Sequence, residues 1–365
     1  MRSKVQALTA LLLVALVSGC APKSPEQPEP AKQVSEAANP AATWPWPDAI
    51  KTSLRKGVEH WFVRTTSDGC TLDLFRFDFV SNPRLEFRLD DQDEDDTVPF
   101  DNWADYYPHG VGDVTRRLNG SGKGQVVAAW NGLFFSYDRS KNPPNGLARH
   151  IGPVVLAGRP HYNFGAHRWT FGAKIVGGRQ VFKAVHTPQY GTLAKEFDYA
   201  ADGAQCLVSE GKPLCLQPFP KVGDPPLGQP VPSTPEDAGH IPIVDHMRTS
   251  RTSMGWSKDS RYLYLLVVNE PDSELGSSLN LKRGGKPDPG WTLADLQRFW
   301  MKMKVWGAVN SDGGAVTQFD YLRPDGQYEM LPPRLVAPNK RLSFGPNFEG
   351  APVGGTLMYF YVSES

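Results

Sequence analysis

Hydrophobic positions in this chain fall into short runs whose period changes from region to region. From Thr71 to Val80 the apolar residues are Leu72 and Leu74, then Phe75, Phe77 and Phe79. Two-residue alternation with one change of phase predicts a half-buried strand with a bulge. Leu85, Phe87 and Leu89 repeat the period, and Ser81-Asn82-Pro83 between the two runs predicts a hairpin. Gln125 to Trp130 is a short apolar strand that runs into Asn131-Gly132, a turn signal. Arg261 to Asn269 is apolar almost throughout, the pattern of a central strand covered on both faces. Leu293, Leu296, Phe299, Trp300 and Met303 then recur at helical intervals. Thr292 is a good N-cap for that helix, Asp295 sits at capping-box spacing, and Lys302 and Lys304 suit its negative end. Val305 to Val309 re-enters the sheet. A parallel pairing within this strand–helix–strand unit brings both strand ends to one edge. Asp48 to Lys56 predicts a short helix, Asp113 to Leu118 a helical turn, and Gly354 to Val362 a closing strand. The expected fold is α+β: one large domain in which helices pack on a mixed β-sheet.

The first residues follow a different pattern. Arg2 and Lys4 precede an apolar stretch, Leu11 to Val17, that is too short to span a membrane and reads as a signal peptide over residues 1–19. It ends in Val17-Ser18-Gly19-Cys20, which resembles the bacterial lipoprotein cleavage box. That resemblance implies lipidation of Cys20, and Ala21 after it points to the outer membrane of the cell envelope. Several acyl chains anchor a protein stably. Residues 20–43, rich in Pro, Glu, Ala, Gln and Lys, lack the apolar bulk to fold and form a tether. The folded domain is expected over 44–365.

Charge and cysteines narrow the classes further. Net charge is zero and no basic stripe is present, which argues against nucleic acid as a partner. Cys206 and Cys215 flank a hairpin pattern with a Glu-Gly-Lys turn, and export is oxidising, so a Cys206–Cys215 disulfide is expected. Cys70 then reads as a small buried apolar residue. The acidic run Asp90 to Asp96 lacks the glycine of a calcium loop, and Asn102 stands where Glu is needed, so it reads as a solvated loop. The histidines show no zinc spacing, and no metal or cofactor is expected. The proline-dense stretch from Gln217 to His240 is a surface lid or loop.

Two motifs carry the candidate chemistry. Arg251-Thr252-Ser253-Met254-Gly255 stands just before the strand Tyr262 to Val268, and Asn310-Ser311-Asp312-Gly313-Gly314 just after Val305 to Val309. Polar groups beside glycine at strand ends are where such folds place binding and catalytic residues.

The order of these elements resembles the phosphodiester glycosidase family. Asn131, Gly132, Phe134 and Phe135 match its Asn-Gly-x-Phe-Phe, and Gly146-Leu147 its following pair. Arg251, Thr252 and Gly255 match Arg-Thr-x-x-Gly, Thr292-Leu293 the helix start, and Asn310, Asp312, Gly313 and Gly314 the last motif. The resemblance runs from about Val114 to Gln318. The chain departs from it at Ala315-Val316-Thr317, where relatives carry glycine and serines, and at Asn269-Glu270-Pro271, where they carry Asp-Gly-Arg.

The resemblance implies cleavage of a sugar 1-phosphodiester. A guanidinium is always charged and grips two phosphate oxygens, which assigns the phosphate to Arg251. Thr252 and the N–H groups of Gly313 and Gly314 are further substrate-binding candidates. A carboxylate must activate water or attack the anomeric carbon, and Asp312 is the first candidate, with Glu270 as the second. Asn131 and Asn310 hold sugar hydroxyls or orient Asp312. Three functions stay open at this point. They are an envelope hydrolase of glycosyl phosphodiesters, a non-catalytic glycan-binding lipoprotein with the same cleft, and a surface protein that docks a partner through the loop Gln217 to His240.

Overall fold

The computed structural model describes residues 46–63, 70–92, 104–105, 109–137, 147–162, 169–186, 193–214, 248–270, 290–333, 341–351, 354 and 356–365. Its architecture is best built outward from the strand Tyr262–Asn269. Leu263, Leu265 and Val267 point to one side, into a core shared with a second sheet. Tyr264, Leu266 and Val268 point to the other, against the helix Leu293–Lys302. The unbroken apolar run is thus a strand buried on both faces, as its pattern predicts.

The larger sheet has 12 strands. Its main path runs Ile50–Arg55, Val58–Val63, Thr71–Asp78, Tyr262–Asn269, Arg251–Trp256, Gly307–Asn310, Tyr199–Ser209, Trp169–Val176, Arg179–His186. The six-stranded sheet runs Leu342–Phe344, Tyr328–Leu331, Phe319–Leu322, Gln125–Asn131, Met358–Glu364, Leu85–Asp91. Phe75, Phe77, Met254 and Trp256 of the first meet Phe87, Trp130, Phe319 and Phe360 of the second in one core. The helix Val111–Gly120 covers the outer face of the six-stranded sheet through Val111, Val114 and Leu118. The layers are therefore helix, sheet, sheet, helix. A small third sheet joins Ala104–Asp105, Leu147–His150 and Phe135–Tyr137.

Several expectations change. The described residues are mostly strand, with two ten-residue helices and one short one, Leu193–Glu196, so the fold is a β-sandwich flanked by helices rather than an α+β mixed sheet. Every named pairing is antiparallel. Arg251–Trp256 lies between Tyr262–Asn269 and Gly307–Asn310 and pairs with both, Thr252 with Val267 and Ser253 with Asn310. The two motifs do reach one edge, but because an antiparallel strand is inserted between the expected parallel partners. Ile50–Arg55 is an edge strand, turned back by Lys56-Gly57 with Gly57 at φ +74, and not a helix. Thr71–Asp78 keeps a regular register with both neighbours, so no bulge is present. Its phase change arises because Leu72 and Leu74 face the helix while Phe75 and Phe77 face the other sheet. Leu85–Asp91 belongs to the other sheet and forms no hairpin with it.

Cys206 is a free, fully buried thiol, so the expected Cys206–Cys215 disulfide is not formed. Its Sγ lies in the inter-sheet core and donates to the carbonyls of Val208 and Ala308 at 3.5 and 3.8 Å. Burial pushes this thiol far above its usual range. Glu210-Gly211 does turn the expected hairpin, with Ser209 opposite Lys212, but Cys206 lies beyond its paired residues. Cys215, Cys20, the residues 1–43, the loop Gln217 to His240 and most of the acidic run lie outside the described residues.

Candidate active site

The site forms where three strands of the large sheet meet the end of Gln125–Asn131 from the opposite sheet. Arg251 and Thr252 begin their strand, Asn310 ends its own, and Asn269-Glu270 closes the third. The Ser311 N–H donates to the Thr252 carbonyl at 2.8 Å, which extends the ladder into the second motif.

Asn131 is the hub. Its side chain is buried and hydrogen-bonded through both its oxygen and its nitrogen, as a buried amide requires. Its Nδ2 donates to the Asp312 carbonyl at 2.8 Å. Its Oδ1 accepts from the Thr252 hydroxyl at 2.8 Å and from the Gln318 N–H at 3.2 Å. The Asp312 N–H donates to the Gly132 carbonyl at 3.2 Å, and the Ser311 hydroxyl donates to the same oxygen. Gly132 has no room for a side chain, since a Cβ there would sit 2.3 Å from Met358. One asparagine and one glycine from one sheet thus hold the Asp312 segment of the other.

Arg251 is buried, and its Nε donates to the Trp291 carbonyl at 2.9 Å, which fixes the plane of the guanidinium. Trp291 directly precedes Thr292, the cap of the helix Leu293–Lys302, and bridges to Thr249. Glu270 is fully buried, and its Oε1 accepts from the Ser250 N–H at 2.8 Å. The Ser250 hydroxyl accepts from the Glu270 N–H at 3.1 Å. Glu270 therefore braces the strand start that carries Arg251. Asp312 is half-buried, the more open of the two candidate carboxylates.

The glycines act differently from the expectation. The Gly313 N–H donates to Asp312 Oδ1 at 2.8 Å, and the Gly314 N–H to the Ser250 carbonyl at 2.8 Å. Both donors are committed within the protein instead of facing a phosphate. A Cβ on Gly313 would lie 2.7 Å from the Ser250 carbonyl oxygen, so glycine serves close backbone approach. Gly314 adopts φ +63. Asn310 Nδ2 likewise donates to Gln205 Oε1 and to the Ser311 carbonyl, both at 2.7 Å. The site thus gathers Asn131, Arg251, Thr252, Glu270, Asn310, Asp312, Gly313 and Gly314 as the sequence predicts. It also uses Ser250, Ser311, Gln205, Gln318 and the Trp291 carbonyl, which the motifs do not single out. Ser250 is adjacent to Arg251 and visible in principle; Gln205 lies on a strand whose pairing no local pattern reveals.

The two facing sheets each contribute one half of this polar site. A sequence model of the phosphodiester glycosidase family matches residues 124–338, more than half of the chain, and the chain belongs to that family. No curated protein matches it. Among solved structures, the catalytic domain of zebrafish N-acetylglucosamine-1-phosphodiester alpha-N-acetylglucosaminidase, auto-inhibited by its pro-peptide, is similar at 14% identity and TM-score 0.47, covering 86% of this chain and 84% of that one. A hypothetical protein from Synechocystis is similar at 11% identity and TM-score 0.45, covering 88% of this chain; this chain spans 64% of that protein. A Burkholderia pseudomallei protein described as exported shows 12% identity and TM-score 0.42, with 83% and 74% covered.

Proposed function

We propose that this protein hydrolyses a glycosyl 1-phosphodiester in glycan material, held at the bacterial cell envelope by a lipid on Cys20. The observation that carries the reading is the convergence of Asp312, Asn131 and Thr252 beside a buried, plane-fixed Arg251. Breaking the C1–O bond builds positive charge on the sugar and sends negative charge to the phosphate. Arg251 neutralises the phosphate without any change in its own protonation. A phosphate leaving group, with a second pKa of roughly 6, needs little help from a general acid. The half-buried Asp312 carboxylate then takes the role of nucleophile on the anomeric carbon or of base for the attacking water. Glu270 positions the Arg251 strand rather than touching substrate.

The second reading is a glycan-binding lipoprotein without catalysis. It is supported by Glu270 bracing Ser250 and by the committed N–H groups of Gly313 and Gly314, which leave the site with less reactive apparatus. One experiment separates the two. The chain is incubated with α-linked sugar 1-phosphodiesters, N-acetylglucosamine first, and released sugar is followed. Asp312→Asn should lower release by about 10²–10⁴-fold while binding persists. Arg251→Ala should weaken both. Binding without release by the unmodified chain from every substrate would replace the hydrolase by the binding lipoprotein.

A further inference from the structure

A cavity of mixed polar and apolar lining lies on the outer face of the six-stranded sheet and shares no lining residue with the Asp312 site. Its volume is about 980 Å³, and it is bounded by Arg88, Asp90, Arg117, Lys123, His161 and Tyr199 among others. That size lies at the upper end of ligand pockets, about 300–1,000 Å³. Three elements build it. Leu85–Asp91 is the edge strand of its sheet, and there Arg88 and Asp90 point away from the inter-sheet core that Phe87 and Leu89 enter. The end of the helix Val111–Gly120 and the turn after it bring Arg117 and Lys123. The tight turn Ala157-Gly158, at φ 50 and 74, brings Leu156 and His161 over the edge. The helix turn is held close to the chain's last strand, since a Cβ on Gly124 would sit 2.7 Å from the Glu364 carbonyl oxygen.

Acids and bases are sorted by depth. Arg117 is 56% exposed, while its partner Asp90, at 2.5 Å, is 10% exposed. His161 is 23% exposed, while Asp91, 3.3 Å from its Nε2, is 1% exposed and also meets His150 Nε2 at 2.9 Å. Lys123 is exposed and has no ion pair among the described residues. The carboxylate side chains are the buried members of these pairs, each already engaged by a base, and the more exposed ionisable side chains, Arg117, Lys123 and His161, are cations and an imidazole. Burial, with some repulsion from Asp91, pushes the Asp90 carboxyl up to about 6 against the pull of Arg117, so the cavity sheds part of its negative charge as pH nears that value. Leu156 and Tyr199 add apolar wall.

We propose that this cavity binds a phosphate ester, its phosphate gripped by Arg117, Lys123 and His161 and its organic part lying against Leu156 and Tyr199. Charge-assisted bonds from a guanidinium, an ammonium and an imidazole suit three phosphate oxygens, and guanidinium is the planar, two-pronged donor among them. The ester comes from a glycosyl phosphate or from a phospholipid headgroup; both present the same group. The site is independent of whether Asp312 hydrolyses anything.

The test reads Lys123 directly in the full chain held in detergent micelles. Its acylation by an N-hydroxysuccinimide ester is followed by peptide mass spectrometry, with exposed Lys56 and Lys212 as internal controls. N-acetylglucosamine 1-phosphate or glycerol 1-phosphate at millimolar concentration should slow Lys123 acylation several-fold and leave the controls unchanged. Protection by the first alone assigns the ester to glycosyl phosphate, and by the second alone to a lipid headgroup. His161→Gln and Arg117→Gln should each raise the protecting concentration about tenfold, the loss of one hydrogen bond to a charged group. Lys123 acylation that neither ester slows, or that neutral N-acetylglucosamine slows equally, overturns the proposal. Arg117→Gln removes the partner of Asp90, so His161→Gln carries the argument if that variant fails to fold.

Discussion

Asn131 shows how much of the site rests on one side chain. Its removal leaves the Thr252 hydroxyl, the Gln318 N–H and the Asp312 carbonyl without their partner. A buried polar group stranded in this way costs about 1–3 kcal/mol. Asn131→Ala is therefore expected to lower unfolding free energy by roughly 3 kcal/mol, some strain being relieved by water. Denaturant titration measures that loss. Sugar release should fall as well, because the Asp312 segment is no longer tied to the opposite sheet. A fold as stable as the parent would show that the three groups find other partners. The residue types of this site were visible in the sequence: amide, guanidinium and carboxylate beside glycine at strand ends. Their division of labour was not. Glu270 and Asp312 look alike in a sequence, and only burial and the Ser250 N–H distinguish the fully buried Glu270 from the half-buried Asp312. The glycine N–H groups looked free because nothing local shows that Ser250 passes within hydrogen-bond reach of Gly314.

At the scale of elements, the helix Leu293–Lys302 was fully legible and the sheets were only partly so. A helix is made by near neighbours, and the Thr292–Asp295 capping box forms as its spacing predicts. The Thr292 hydroxyl accepts from the Asp295 N–H at 3.2 Å, and Asp295 Oδ2 accepts from the Thr292 N–H at 2.9 Å. Strand pairing is decided by distant partners, so the runs at Thr71 and Leu85 looked like one hairpin and belong to two sheets. Double-sided burial in a four-layer structure also imitates a bulge, because both faces of Thr71–Asp78 need apolar residues. The cap has a consequence for the site. Thr292 follows Trp291, whose carbonyl sets the Arg251 guanidinium. Thr292→Ala should cost about 1 kcal/mol, typical for an N-cap. It should also raise KM for the phosphodiester more than it lowers kcat, since Arg251 is loosened while Asp312 is not touched. Steady-state kinetics beside a melting curve checks both, and an unchanged KM would sever the helix start from phosphate binding.

Across the whole molecule, the layers bury ionisable groups of opposite tendency, and this sets how stability depends on pH. Asp73 is fully buried. Burial alone would raise its carboxyl, but the Arg341 guanidinium, 2.6 Å away, and His60 outweigh that and hold it below the usual 3.8. It stabilises the fold fully above that value, and the contribution is lost as pH falls through the lower folded one. Asp320 is the reverse case. It lies between the six-stranded sheet and the helix Val111–Gly120, and burial drives its carboxyl well above the usual range, with only weak opposition from the Thr115 hydroxyl and the Ala129 backbone. Asp90, pushed up to about 6, tends the same way. A carboxyl with a raised folded value favours the fold fully below its unfolded value near 3.8, and that contribution is lost as pH rises through the folded one. For Asp90 the difference amounts to on the order of 3 kcal/mol at pH well above 6. Asp320→Asn keeps the shape and removes the proton. Its melting temperature should therefore exceed that of the parent at pH 8, with the gap narrowing steadily as pH falls and closing only below 3.8, where the parent carboxyl is protonated in both states. Melting curves across that range decide the matter. A variant less stable than the parent at pH 8 would mean that the Asp320 carboxylate is ionised and held by partners. It would then brace the sheet in the manner of Asp73, and the helix Val111–Gly120 would cover a charge rather than a neutral acid.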